Sequence, residues 1–228
     1  MTDIHLWTRE RVIATVVEEF KTFATMVHGL SEADLSATTA CDGWAVRHVV
    51  GHVVGTADDI LAFTIGSRTP DEQAAAYLEW SAAASAKALS DAADRMGTHL
   101  RSLPDTVWTA PVEGVPGQAF STGVLTLAHE LCVHTDDIDT ALGRASLGQR
   151  QWELAAQWLA VELERLEFEP LTLELTGLPR YVINGGGPVI IADPVTFVRA
   201  ATGRAESVTV GVDFDLNIYN RDRRHIGV

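Results

Sequence analysis

The chain has 228 residues, 46% of them hydrophobic and 21% charged, so a packed core is expected and global disorder is not. A formal net charge of −14 disfavours nucleic acid and anionic membranes as partners, because both would be repelled. No apolar run approaches the roughly 20 residues needed to span a bilayer. The start, "MTDIHLWTRERV", has no cationic stretch followed by an apolar one, so no signal peptide is expected. With two cysteines, Cys41 and Cys132, there is no disulfide framework, and a cytoplasmic protein with reduced thiols is expected.

In chain order, apolar residues first recur at helical spacing from Thr8 to Leu30: Val12, Val16, Phe20, Phe23, Val27. "SEADLSATTACDGW" reads as a loop. A second helix is expected from about Trp44 to Ile65, and a third, Ala-rich, from about Pro70 to Leu103, with Asp71 and Glu72 favouring its first turn. The prolines and glycines of "LPDTVWTAPVEGVPGQAFST" make it a long connection. A fourth helix is expected from Ser121 or Thr122 to Leu142, stopped by Gly143. Four amphipathic helices with one long crossover predict a four-helix bundle over residues 1–146.

The remainder, 147–228, changes character. "GQRQWELAAQWLAVELERLEF" reads as a helix, while "LTLELTG" and "PVIIA" read as strands. "RYVINGGGPVIIAD" looks like a hairpin turning at Asn184-Gly185. "DPVTFVRAATG" has full helix punctuation: Asp193 as N-cap, Pro194 at the first helical position, Gly203 past the end. "SVTVGVDFDLNIY" alternates as a strand pair should. The predicted fold class is therefore α+β: a helical bundle followed by a small α+β domain.

The chemistry concentrates in "HELCVHTDDIDTALG", residues 129–143. At 100° per residue, Glu130 and His134 lie about 40° apart and Asp137 about 20° from Glu130, one polar stripe with Leu127, Leu131 and Ile138 beside it. His129 and His134 lie about 140° apart, so the run is not a zincin helix, which needs two histidines four residues apart. His48 and His52, also four apart, sit among valines on the second helix. One of them, with Glu130 and His134, gives a His₂Glu set that leaves a coordination position open, the catalytic pattern for zinc. The same spacing also fits a satisfied core histidine and an exposed i, i+4 pair. His5, His28, His99 and His225 read as surface or packing residues, Cys132 as a small buried hydrophobe, and Cys41 as an inert or structural thiol. Asp136 and Asp139 read as a solvated helix end, and Gly185 to Gly187 as a tight turn with no phosphate-binding loop around it.

Two stretches carry a resemblance. "DLSATTACDGWAVRHVVGHV" and "HELCVHTDDIDTALG", with Glu-x3-His-x2-Asp closing on Gly, resemble the two signatures of the mycothiol-dependent maleylpyruvate isomerase family, and "ADPVTFVRAATGR" is similar to its C-terminal domain. The resemblance implies a DinB-like metal-binding bundle with a smaller, sterol-carrier-like C-terminal domain. It implies a divalent metal, most often zinc, on His52, Glu130 and His134, and a low-molecular-weight thiol as cosubstrate, mycothiol in actinobacteria. It implies a thiol held at the open metal position, deprotonated there, attacking an electrophilic carbon; the outcome is isomerisation or S-transfer. Arg204, in a "GR" where the family carries an arginine, is the expected cation for an anionic substrate, or else a cap on helix carbonyls. Asp137 is expected to orient a ligand imidazole. Ala45 stands where a Ser or Thr cap is common, His48 where an acidic residue is common, and Asp136 where Trp is common. Two other classes stay open: a metal-dependent hydrolase, and a non-catalytic module binding an apolar ligand. The expected partners are a small electrophile and a thiol, with the chain a monomer or homodimer.

Overall fold

The computed structural model describes residues 7–112, 117–144 and 148–220. His5 and His225 lie outside them. The chain divides into two compact units, one from Thr8–Thr109 with Val124–Leu147, the other from Ala110–Gly123 with Gly148–Val228.

The first unit is built on long helices. α1 (Arg9–His28) is opened by Thr8, whose hydroxyl accepts the Arg11 N–H. Its buried stripe, Val12, Val16, Phe20, Phe23 and Val27, packs along α5 (Ala82–Ser102). α3 (Val46–Ala62) lies against α5 and buries Val46, Val49, Val50, Val53 and Val54. α7 (Phe120–Ala141) is buried on nearly every side between Val124 and Ile138, and Gly143 ends it at φ +62°. No helix among the described residues is long and apolar enough to cross a membrane.

Two expectations need correction in this unit. The segment 31–44 is not all loop: Ser31 and Asp34 form a reciprocal capping box that opens α2 (Glu32–Leu35). The single helix expected from Pro70 to Leu103 is two helices. α4 (Pro70–Ala75) stops short, and α5 starts afresh where the Ser81 hydroxyl accepts the Ala84 N–H. The serine cap outcompetes helix continuation, as its side chain offers the backbone a local partner. A further short helix, α6 (Asp105–Trp108), opens the long connection.

The second unit packs α8 (Gln149–Arg165) against α9 (Pro194–Ala201), around Trp152, Trp158, Leu159, Leu163 and Phe197. α9 carries the predicted punctuation: Asp193 accepts the Thr196 N–H, and Gly203 follows at φ +73°. Its sheet has β1 (Leu171–Leu175) in the middle, antiparallel to β2 (Tyr181–Ile183) and parallel to β3 (Val189–Ala192).

The hairpin expected at Asn184-Gly185 is therefore not formed, since β2 and β3 never pair. Asn184, Gly185 and Gly186 all have positive φ, and the chain turns across the start of β1 instead. There Gly187 passes so close that a Cβ would fall 2.0 Å from the Pro170 carbonyl oxygen. Pro188 then accepts the Thr172 N–H at 2.9 Å, and β3 runs on along the far edge of β1. The strand pair expected over 207–219 is also absent. Ser207–Val210 is a 3₁₀ turn. Side chains claim the amides a ladder would use: Ser207 takes the Leu216 N–H, Asp215 that of Asn217, and Asn217 that of Tyr219. The alternating Val210, Val212, Leu216 and Ile218 are still buried. Burial alternates there without a sheet, because Asp and Asn satisfy the backbone locally.

Candidate metal centre

The site starts from about two turns of α7. Glu130, His134 and Asp137 fall on a single stripe, as their spacing requires. His134 Nε2 lies 3.6 Å from Glu130 Oε2, and His134 Nδ1 lies 3.0 Å from Asp137 Oδ2. Asp137 is 3% exposed, so its carboxylate is committed to protein partners. Besides His134 it accepts the Cys41 thiol at 3.4 Å.

α3 supplies the third group. The His52 ring lies 5.1 Å from the His134 ring, nearly perpendicular to it, with the Trp44 indole 5.5 Å away on another side. One donor atom from each of His52, Glu130 and His134 lies within 4.8 Å of the other two. Of the two histidines on α3, His52 joins this cluster and His48 has separate work. Ala45 cannot cap α3, and the His48 Nδ1 accepts the Ala45 N–H at 3.1 Å in place of the acidic residue common there.

Burial above all, with the neighbouring His134 ring adding in the same direction, pushes His52 down to about 4, so its imidazole is neutral at physiological pH with a lone pair to offer. The hydrogen bond to Asp137 places a proton on His134 Nδ1 and leaves Nε2 bare, facing Glu130. Both His134 Nε2 and His52 Nδ1 are buried without a hydrogen-bond partner. Leaving buried polar atoms unmatched costs about 1–3 kcal/mol each, which a cation relieves by taking the lone pairs. Two neutral imidazoles and one carboxylate suit zinc, and three protein donors correspond to its catalytic rather than structural sites. The residues present thus fit a divalent metal.

The other residues singled out in the sequence have these settings. Arg204 belongs to the second unit, where its guanidinium donates to the Thr202 carbonyl at 3.1 Å, past the end of α9. Asp136 is not solvated: it is 3% exposed, because this part of α7 is covered on all faces and not on one stripe. Asp139 is less enclosed, and desolvation raises its carboxyl pKa. Cys132 is buried, as expected of a small apolar residue. His28 is exposed, and His99 packs its ring edge-on against Phe63 at 5.1 Å. What the sequence did not reveal is Cys41 beside Asp137. No local pattern links positions 96 residues apart.

Fold and site together define a helical bundle with a partly buried His₂Glu cluster, joined in one chain to a small α+β unit. Residues 16–139, more than half the chain, match the family described as the mycothiol maleylpyruvate isomerase N-terminal domain, and the chain belongs to that family. Its fold is similar to the crystal structure of the mycothiol-dependent maleylpyruvate isomerase, with a TM-score of 0.68 at 18% identity over 91% of this chain and 94% of that one. A variant of that enzyme with one histidine replaced by alanine matches with a TM-score of 0.66 at 18% identity, over 90% and 93%. No curated protein matches the chain.

Proposed function

We propose that the chain is a metal- and thiol-dependent enzyme, an isomerase or S-transferase acting on a small electrophile, with a divalent ion held by His52, Glu130 and His134. The observation that carries this reading is the pair of buried, unpartnered imidazole nitrogens, His52 Nδ1 and His134 Nε2, in a cluster with Glu130. Membership of the family supports mycothiol as the thiol, and a set of two imidazoles and one carboxylate supports zinc as the metal. When bound, the ion would supply the Lewis acidity that lowers the pKa of a coordinated thiol, about 8.5 when free, so that the proton is lost to solvent.

The chain's own groups prepare the site for that. Glu130 brings the negative charge that draws a cation into the cluster. Asp137 keeps the His134 proton on Nδ1, so that Nε2 stays available. Three protein donors leave room for an exogenous ligand. Arg204 is proposed to hold an anionic group of the electrophile, and Arg204→Ala should raise KM for anionic electrophiles more than it lowers kcat. Residues 1–146 are proposed as the metal-binding domain and 147–228 as the accompanying α+β domain, in a cytoplasmic monomer or homodimer.

The test is metal content of the purified protein, followed by turnover of electrophiles such as maleylpyruvate with and without mycothiol. Bound zinc and thiol-dependent turnover are expected. A thiol returned unchanged marks the isomerase, and a thiol consumed one-to-one marks the transferase. Thiol-independent turnover would overturn the reading in favour of a hydrolase, and an intact fold that takes up no metal would leave a binding module.

A further inference from the structure

His52 on α3 and His134 on α7 come from distant parts of the chain, and one short segment touches the supports of both. The Trp44 N–H donates to the Cys41 carbonyl at 3.0 Å, closing a β-turn from Cys41 to Trp44. At the first residue of the turn, the Cys41 thiol donates to Asp137 Oδ2 at 3.4 Å, the same oxygen that holds His134 Nδ1 at 3.0 Å. At the last, the Trp44 indole lies against the His52 ring, centroids 5.5 Å apart. Extended backbone would carry positions 41 and 44 about 10 Å apart, and a β-turn brings their Cα atoms within about 7 Å. The turn is what lets both side chains reach one cluster.

The turn is braced from outside. The Thr39 hydroxyl accepts the Cys41 N–H at 3.2 Å and donates to the Trp44 carbonyl at 2.8 Å, and the Thr39 N–H reaches that carbonyl at 3.0 Å. Next to it, Thr38 and Ala45 form an antiparallel bridge. The indole is tied at its far edge as well, where Nε1 donates to Asp71 Oδ1 of α4 at 2.8 Å. Gly43, third in the turn, has φ +73°, a conformation that favours glycine. A Cβ there would meet nothing within 4 Å, so a side chain at this position disturbs the backbone conformation and nothing else.

We propose that the turn from Cys41 to Trp44 is a clamp on the metal cluster: Cys41 steadies Asp137 and through it His134, Trp44 steadies His52, and the turn fixes how the two imidazoles stand to each other before any ion arrives. The proposal rests on the metal reading of the site given above. Cys41 and Trp44 are positioning residues in it. Donors held ready bind more tightly, because the cost of ordering them is not drawn from the binding energy. Losing a partner that orients a ligand typically weakens metal binding by about 10- to 100-fold.

The test uses the full chain with Gly43→Val, whose branched side chain resists positive φ, and Gly43→Asn, which tolerates it. NMR of the metal-free protein at neutral pH reads two things: the nuclear Overhauser contact between the His52 and His134 rings, and the His134 tautomer from its ring nitrogens. Wild type and Gly43→Asn should show the contact and a single tautomer; Gly43→Val should lose the contact and show a tautomer mixture, with helix content unchanged. Zinc affinity, from competition with a chromophoric chelator, should fall about 10- to 100-fold in Gly43→Val and recover in Gly43→Asn. A folded Gly43→Val that keeps the ring contact overturns the proposal, whatever the zinc affinity does. Should Gly43→Val not fold, Trp44→Leu should lose the ring contact and Cys41→Ala the single His134 tautomer, and wild-type signals in either variant overturn the proposal. A wild type that takes up no zinc would remove the metal reading alone, because the ring contact is measured without metal and still decides the role of the turn.

Discussion

Replacing Asp137 with Asn keeps the shape of the residue that anchors His134 and removes its charge. The wild-type carboxylate accepts from His134 Nδ1 at 3.0 Å and from the Cys41 thiol at 3.4 Å, in a setting only 3% exposed. Hydrogen bonds to a charged partner are worth about 1.5–3 kcal/mol and neutral ones about 0.5–1.5, so the exchange costs about 1–1.5 kcal/mol. The new amide must also turn an N–H toward a sulfur or a protonated ring nitrogen, both poor acceptors. About 1.4 kcal/mol is tenfold in an equilibrium constant, so zinc should bind about tenfold more weakly. The metal-free protein should melt a few degrees lower, since 1 kcal/mol shifts Tm by about 2–4 °C at this chain length. Chelator competition for the first effect and calorimetry for the second make the measurement. Zinc affinity within twofold of wild type would falsify the idea that Asp137 sets the His134 tautomer.

Other outcomes are open to measurement. His52 stands near 4 in the folded protein and about 6.5 when unfolded, so below pH 6.5 the unfolded chain takes up the proton first. The metal-free protein should hold the full stability from this group above pH 6.5 and lose about 3 kcal/mol of it as the pH falls to 4. Urea unfolding at several pH values, compared with His52→Gln, checks this, and identical pH profiles would contradict it. His52→Ala and His134→Ala should each abolish zinc retention with helix content nearly unchanged by circular dichroism; metal kept by both would remove the ligand assignment. Gly187→Ala should destabilise the second unit by about 2 kcal/mol or more, because the added methyl meets the Pro170 carbonyl. Leu159→Ala, at a fully buried position, should cost about 2–5 kcal/mol by chemical denaturation.

Helices α1 and α9 were readable because periodicity and cap agree in each, at Thr8 of α1 and Asp193 of α9. The Glu130-His134-Asp137 stripe was equally legible, being set by helical geometry alone. Choosing between His48 and His52 was not a matter of spacing. It depended on Ala45 lacking a side chain that can cap, which draws His48 away to the backbone. The errors have one physical source. Ser81, Asp215 and Asn217 offer the backbone local hydrogen bonds, and these override helix or strand patterns that burial alone would predict. The order of the sheet could not be read from a turn motif either. Asn184-Gly185 supplies positive φ, but where the chain goes afterwards is decided by the approach of Gly187 to Pro170.

Two of the three clustered donors sit one helical turn apart on α7, while the third arrives from a helix far earlier in the chain. Any ion that grips all three is therefore a cross-link. Closing a loop of that length takes roughly 4 kcal/mol of chain entropy out of the unfolded state, by analogy with a disulfide. Occupancy of the cluster and persistence of the bundle would thus be thermodynamically tied, and a scavenger that strips such an ion would loosen the protein.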